Sequence, residues 1–270
     1  METSTHPPSG LAPWISDRID LWHTDKKYGP SLAAFLGMSE VLYAAWATKP
    51  PKYILGIDEV GLGCLAGPMV IGGVLAPCTW AHPDLRDSKA FSSFRGRGEI
   101  LARLNKEAPG ALYFLHRTSN ERIDEIGLRR AQLESFQEIV KQALAVQLDT
   151  LIVIDGIIRL STVEHVALPK ADTFVPHVMA ASIIAKVSRD TEMIAMEAVY
   201  PGYNFIENKG YGADAHYDGL DRLGQCPLHR RSIKLKPGRK RRDTSRSVRK
   251  HVPLSEQGQT STSRSKAPKA

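Results

Sequence analysis

Apolar positions along this chain switch between a strand-like and a helix-like period, and the switches delimit its elements. Tyr53–Asp58 is an apolar run that ends in Asp58-Glu59 and a glycine-rich turn, and Met69–Leu75 is a second such run. The short polar connection makes the two an antiparallel hairpin. After a loop at Asp84–Ser93, helical spacing appears at Arg95–Lys106 and a third strand at Ala111–Arg117. From Asn120 to about Val146, residues Ile123, Ile126, Leu133, Phe136, Ile139, Val140 and Leu144 fall on one face, which predicts a single long amphipathic helix. Thr150–Asp155 is a nearly continuous apolar run, the pattern of a strand buried on both faces. Met179–Ala198 is helical and stops at Tyr200-Pro201-Gly202-Tyr203, and a short helix is expected near Asp214–Leu223. Antiparallel strands followed by a parallel one after a long helix predict an α/β fold, a mixed sheet with helices on both faces.

The flanks differ from this core. Residues 1–13 are rich in Pro, Ser and Thr and read as disordered. Residues 14–49 carry helix-like spacing (Leu32, Phe35, Leu36, Val41, Leu42, Trp46), closed by Pro50-Pro51. The organisation is therefore an N-terminal extension over 1–51, a main domain over 52–235 and a basic tail over 236–270.

Charge sharpens that division. The chain of 270 residues has 36 Lys/Arg, 29 Asp/Glu and a net charge of +7. Residues 229–270 hold 14 of the basic residues against only Asp243 and Glu256, which leaves 22 basic and 27 acidic residues in the rest. The body is mildly acidic and the tail alone makes the protein basic. Such a tail suits sequence-independent contact with nucleic acid, or no specific partner at all. No apolar run approaches the roughly 20 residues that span a bilayer, and Met1–Gly10 lacks an export pattern. Cys64, Cys78 and Cys226 are an odd number without metal-binding spacing, which fits a reducing cytoplasm.

Four carboxylates carry the candidate chemistry. Asp58 and Glu59 end the first strand, Asp155 ends the Thr150–Asp155 strand, and Asp172 precedes the helix that starts near Met179. If the strands of Asp58 and Asp155 are neighbours, their carboxylates meet at one sheet edge. Burying them is costly unless a cation sits on them, and hard oxygen donors without His or Cys indicate Mg²⁺ or Mn²⁺. A pair of such ions supports phosphodiester hydrolysis. Neighbours on a strand point to opposite faces, so Glu59 is expected to be re-aimed by a bulge or strand end at Gly61 or Gly63. Each Asp alone is equally a turn former or helix cap; it is the set that points to metal.

Seven motifs now give the chain a family likeness. Tyr53–Pro68, Asp87-Ser88-Lys89, Ile154-Asp155-Gly156, Ala180–Asp190, Tyr200-Pro201-Gly202-Tyr203, Lys209-Gly210-Tyr211-Gly212 and Cys226–Ser232 occur in the order and approximate spacing of ribonuclease HII. The resemblance covers about residues 52–235. It implies an RNase H-like mixed five-stranded sheet with helices on both faces and a C-terminal helical portion. It also implies Mg²⁺- or Mn²⁺-dependent cleavage of RNA paired with or joined to DNA, 5′ to a ribonucleotide embedded in duplex DNA, leaving 3′-hydroxyl and 5′-phosphate ends. By motif, Asp58, Glu59, Asp155 and Asp172 resemble the metal-binding carboxylates, and Lys89 resembles a phosphate contact. Tyr211 is similar to the tyrosine that packs on the sugar of the DNA residue after the ribonucleotide. A monomer is the family expectation.

Other residues read more plainly. A Lys186–Asp190 pair at i,i+4 is a sufficient account of Asp190, His216 reads as an exposed helix residue, and His229-Arg230-Arg231 reads as a phosphate contact or the start of the tail. Cys64 and Cys226 read as small apolar fillers.

Two departures from the family pattern bear on function. Its Lys-Gly-Asp stands here as Lys170-Ala171-Asp172, and its Gly-Arg-Gly turn stands here as Gly61-Leu62-Gly63. Both glycines remain, so the backbone can approach a nucleic acid and present amides to a 2′-hydroxyl. The missing guanidinium predicts weaker binding or an altered preference between a single ribonucleotide and a longer hybrid. The competing readings are a catalytically weakened nucleic-acid-binding protein and another two-metal phosphodiesterase on the same fold. The intact acidic set opposes the first; Tyr211 and the paired glycines oppose the second.

Overall fold

The computed structural model describes Lys49, residues 51–86 and residues 93–235. The chain divides into Met1–Lys234, which carries every described element, and Leu235–Ala270. The expected N-terminal helix, the whole 236–270 tail and Lys89 therefore lie outside the described residues.

Five strands form one sheet: β1 (Tyr53–Val60), β2 (Met69–Pro77), β3 (Leu112–Thr118), β4 (Thr150–Asp155) and β5 (Val166–Leu168). Their order is β3-β2-β1-β4-β5. The hairpin β1–β2 is antiparallel, as is β2–β3, whereas β4 joins β1 in parallel and β5 joins β4 in parallel. The mixed sheet expected from the pattern is thus present. β5 has only three residues, too few for a period-2 signal of its own.

The helices are α1 (Phe94–Glu107), α2 (Asn120–Ile126), α3 (Leu128–Val146), α4 (Pro176–Val199), α5 (Phe205–Asn208) and α6 (Asp214–Leu223). Ser93 caps α1 by accepting from the Gly96 amide, and Ser119 caps α2 by accepting from the Arg122 amide. The single long helix expected over Asn120–Val146 is two helices. Gly127, at φ 84°, interrupts the backbone between Ile126 and Leu128 without disturbing the apolar stripe, so periodicity alone missed the break.

Alternation along β1 and β2 distributes two cores. Leu55, Ile57, Met69, Ile71 and Leu75 pack with Phe136, Ile139 and Val140 of α3. Val74 and Ala76 pack with Ala180, Ala181 and Ile184 of α4, and Val60 and Val70 with Ala185. Full burial of each Leu, Ile or Phe contributes about 1.5–3 kcal/mol. Helix α4 lies directly on the sheet because β1 and β2 carry glycine beneath it. A Cβ at Gly56 would stand 2.3 Å from the His177 carbonyl carbon, and one at Gly72 would stand 2.3 Å from the Ala181 carbonyl oxygen. The C-terminal helical portion, α5 and α6, follows α4, and α5 packs against it.

Candidate active site

The site grows from the parallel register of the two central strands. Ile57 pairs with Ile154, so the next residues, Asp58 and Asp155, stand level at the C-terminal ends of β1 and β4. Asp172 is brought in by the short 3₁₀ turn Ala171–Thr173, whose Ala171 amide donates to Asp155 Oδ1 at 2.7 Å. Ala171 in place of the family glycine is accommodated because the preceding Lys170, not Ala171, adopts the left-handed conformation, at φ 63°.

Asp155 is the common electrostatic neighbour. Burial, first, and then the charge of Asp155 push Asp58 and Glu59 each up to about 7. The same two causes raise Asp172. Ser182 of α4 hydrogen-bonds Asp58 and opposes the shift, as do Gln132 and Arg129 of α3 at Glu59. These partners show which way each carboxylate points: Asp58 toward α4 and Glu59 toward α3. Of the two alternatives expected at Gly61–Gly63, the bulge is absent and the strand end is present, at Val60. β1 runs in regular register through Glu59–Ile71 and Val60–Val70, so the pleat sends the two carboxylates to opposite faces of the strand. What joins them is their position at the strand's end beside Asp155.

The donor set suits a hard divalent cation. Glu59 Oε2 is buried without a hydrogen-bond partner, and burial together with the charge of Asp155 outweighs the groups that favour ionisation, raising Asp58 and Glu59 to about 7, a balance that a bound cation would reverse. Among the described residues no three His, Cys, Asp or Glu side chains are already closed around one point. The carboxylates are gathered by strand register and by the Ala171 amide on Asp155, against their mutual repulsion, rather than by a finished coordination shell.

Beside them the Gly61–Cys64 turn closes with the Cys64 amide donating to the Gly61 carbonyl at 3.4 Å. Gly61 is required by its surroundings: it sits at φ 90°, and a Cβ there would meet Arg189 Nε at 2.2 Å. Gly63 is exposed, and a Cβ added to it would have no neighbour within 4 Å. Leu62 packs its side chain against the α3-side core. Tyr211 is 38% exposed, with Lys186 Nζ 5.4 Å and the Arg189 guanidinium 5.5 Å from its ring centroid. Its hydroxyl, near the Cys64 thiol and the Gly61 backbone, is pushed up to about 12 chiefly by burial.

Two arginines that charge counting reads as surface residues are fully buried and hold this turn. Arg189 donates to the carbonyls of Pro68 (2.8 Å), Lys209 (2.8 Å) and Ala66 (3.1 Å). Arg230 donates to those of Gly67 and Leu62, each at 2.9 Å. Arg230 is therefore neither a phosphate contact nor the start of a solvated tail. His229 and His216, expected respectively with the tail and exposed, are 1% and 0% exposed, because the C-terminal segment folds back under α6. Asp190 matches its expected structural role, pairing with Lys186 (2.8 Å) and also with Arg97 (3.1 Å). Cys64 and Cys226 are buried, and Cys226 Sγ lies 3.1 Å from His229 Nδ1.

A five-stranded mixed sheet with acidic residues at the ends of its adjacent central strands defines an RNase H-like protein. Solved structures share the fold. The structure of the PCNA:RNase HII complex from Archaeoglobus fulgidus matches with TM-score 0.53 and 25% identity, covering 69% of this chain and 98% of that one. Ribonuclease H2 from Pyrococcus horikoshii OT3 matches with TM-score 0.52 and 24% identity, covering 67% and 94%. In sequence, the ribonuclease HII family model matches residues 55–236. Ribonuclease HII of Syntrophus aciditrophicus (strain SB) is 38% identical over 186 residues, 68% of this chain and 85% of that protein. Its counterpart in Listeria monocytogenes (strain EGD-e) is 38% identical over 182 residues, 67% and 68%. The chain belongs to the ribonuclease HII family, and it is a ribonuclease H of type HII.

Proposed function

We propose that this enzyme cleaves the RNA strand of RNA–DNA hybrids, and duplex DNA 5′ to an embedded ribonucleotide, leaving 3′-hydroxyl and 5′-phosphate ends. The observation that carries the reading is the placement of Asp58 and Glu59 at the end of β1 beside Asp155 at the end of β4, with the turn of Asp172 tied to Asp155 through the Ala171 amide. In this reading Asp58, Glu59, Asp155 and Asp172 hold Mg²⁺ or Mn²⁺, two ions when substrate is bound. The bound ions supply activation of a water and neutralisation of charge at the leaving oxygen.

The chain's own residues orient the substrate. The amides of Leu62 and Gly63 donate to nothing among the described residues, which leaves them free for a 2′-hydroxyl, a group that distinguishes RNA from DNA. The half-exposed ring of Tyr211 packs on the sugar at the RNA–DNA junction, and Lys89 contacts phosphate without reading bases. Leu62 supplies no cation to the turn, so backbone amides carry its recognition.

The test is cleavage, with Mg²⁺ or Mn²⁺, of a DNA duplex carrying one ribonucleotide, beside all-DNA duplex and RNA–DNA hybrid. Cutting 5′ to the ribonucleotide that Asp58→Asn abolishes supports the proposal. Binding without cutting supports a nucleic-acid-binding protein instead, and cutting of all-DNA duplex supports a different phosphodiesterase.

A further inference from the structure

A second layer of contacts, away from the carboxylates, converges on the main chain of Tyr211. His216 Nδ1 lies 2.9 Å from the Tyr211 carbonyl oxygen. On its other side, His216 Nε2 lies 3.0 Å from His229 Nε2. His229 Nδ1 in turn lies 3.0 Å from the Cys226 amide nitrogen, 3.1 Å from Cys226 Sγ and 3.2 Å from the Cys226 carbonyl oxygen. Both rings are buried, and Tyr203 and Phe205 pack on them, with centroids 4.9 Å (Tyr203–His229) and 5.3 Å (Phe205–His216) apart.

The partners fix the protons. A carbonyl oxygen only accepts, so His216 Nδ1 carries a hydrogen and its Nε2, in the neutral ring, is bare. His229 must then donate from Nε2, and its Nδ1 accepts from the Cys226 N–H. One direction of donation, Cys226 to His229 to His216 to Tyr211, links the two rings with both neutral, and the Cys226 carbonyl, 3.2 Å from His229 Nδ1, accepts from the His229 amide at 3.1 Å instead. The apolar walls favour that state, since burial lowers both rings and takes His229 down to about 4.

The far end of this chain of bonds returns to the glycine turn. Arg230 follows His229 directly. Its side chain donates to the Leu62 and Gly67 carbonyls, and its amide donates to the Leu65 carbonyl at 2.9 Å. The Leu65 amide donates to the Gly210 carbonyl at 2.8 Å, next to Tyr211. Tyr211 and the Gly61–Gly63 turn are therefore gripped from the same two adjacent residues, His229 and Arg230.

We propose that His216 and His229 are positioning residues: as a neutral hydrogen-bonded imidazole pair they fix Tyr211 relative to the Gly61–Gly63 turn, and so set the preference for a ribonucleotide–DNA junction. This rests on the reading of Tyr211 and the turn as the junction-recognition elements. Neither histidine touches substrate. Truncating the pair loosens recognition and leaves the carboxylates untouched.

The experiment uses the full chain with Mg²⁺ and compares KM and kcat on the singly ribo-substituted duplex and on the RNA–DNA hybrid. His216→Leu is expected to raise KM on the junction substrate about five- to tenfold, the loss of one buried hydrogen bond, with kcat nearly unchanged and a smaller effect on the hybrid. His216→Asn, whose amide can still donate to the Tyr211 carbonyl, is expected to recover most of the loss. An equal loss on both substrates that Asn does not restore would overturn the proposal. Should His216→Leu not fold, ¹⁵N spectra of the wild-type histidines at neutral pH decide the matter. Hydrogens on His216 Nδ1 and His229 Nε2 support the pair, and either ring protonated or in the other tautomer refutes it. Tyr211→Ala separates the two levels. If it erases the junction preference and His216→Leu does not, the pair alone fails; if it leaves the preference intact, the reading of Tyr211 fails and the pair's role falls with it.

Discussion

Asp155 stands level with Asp58 on the adjacent parallel strand, one residue beyond the last paired position, Ile57–Ile154. Parallel pairing is what makes this possible. Both strands run toward the same end of the sheet, so two carboxylates distant in sequence are delivered to one edge, where the charge of Asp155 opposes ionisation of Asp58. That electrostatic arrangement, and the turn beside it, have consequences that can be measured.

Divalent metal should stabilise the protein, and more so in alkali. Asp58 and Glu59 are raised from below 5 to about 7 on folding. The native state thus holds protons that the unfolded chain releases, so these two groups cost no stability below about pH 4. Their penalty grows as pH rises through about 7 and is complete above it. Saturating Mg²⁺ or Mn²⁺ should raise Tm by about 5–10 °C at pH 8, and by less than half of that at pH 5.5. Calorimetric melts with and without EDTA check this; an equal rise at both pH values would contradict it.

Asp58→Asn should separate activity from stability. Loss of one metal-binding carboxylate should lower cleavage more than about 100-fold. In EDTA at pH 8 the same variant should melt above the wild type, because a buried, repelled charge is gone. A variant that is both inactive and less stable under those conditions would mean that Asp58 is held by contacts other than those described.

The two glycines of the turn should respond differently. Gly61→Ala places a Cβ against Arg189 at a positive φ and should destabilise by about 1–3 kcal/mol. Gly63→Ala meets nothing, so it should stay within about 0.5 kcal/mol of wild type. Any loss of cleavage by Gly63→Ala then reports on the substrate rather than on the fold. Urea titration beside the duplex assay distinguishes the two.

Leu62→Arg should tighten the junction substrate. A charge-assisted contact to phosphate is worth about 1.5–3 kcal/mol, so KM on the singly ribo-substituted duplex should fall at least about tenfold. Lost packing against the α3-side core should cost about 1 kcal/mol of stability. Steady-state kinetics on both substrates would expose the error if KM did not move.

Legible in the residues alone were the strands β1 to β4, the helices α1, α4 and α6, and the placement of acidic residues at Asp58, Glu59, Asp155 and Asp172 beside element ends. Each of these is written locally, in apolar period, in breakers such as Tyr200-Pro201-Gly202, or in an acidic residue at the end of an apolar run. Tertiary structure decided the rest. The three residues of β5 are too short for a period, and the break at Gly127 leaves the stripe of α2 and α3 in phase. Only the packing of α3 and α4 on opposite faces, with the regular register, shows that the strand simply ends after Val60, with Asp58 and Glu59 diverging and no bulge re-aiming either. The burial of Arg189, Arg230, His216 and His229 was likewise hidden from composition. Charged and titratable residues ordinarily favour water, and what keeps these four inside is a set of carbonyl and ring partners supplied by segments up to 168 residues away, as between Arg230 and Leu62. Local sequence records what a residue prefers, whereas long-range hydrogen bonds determine which preferences the fold can override.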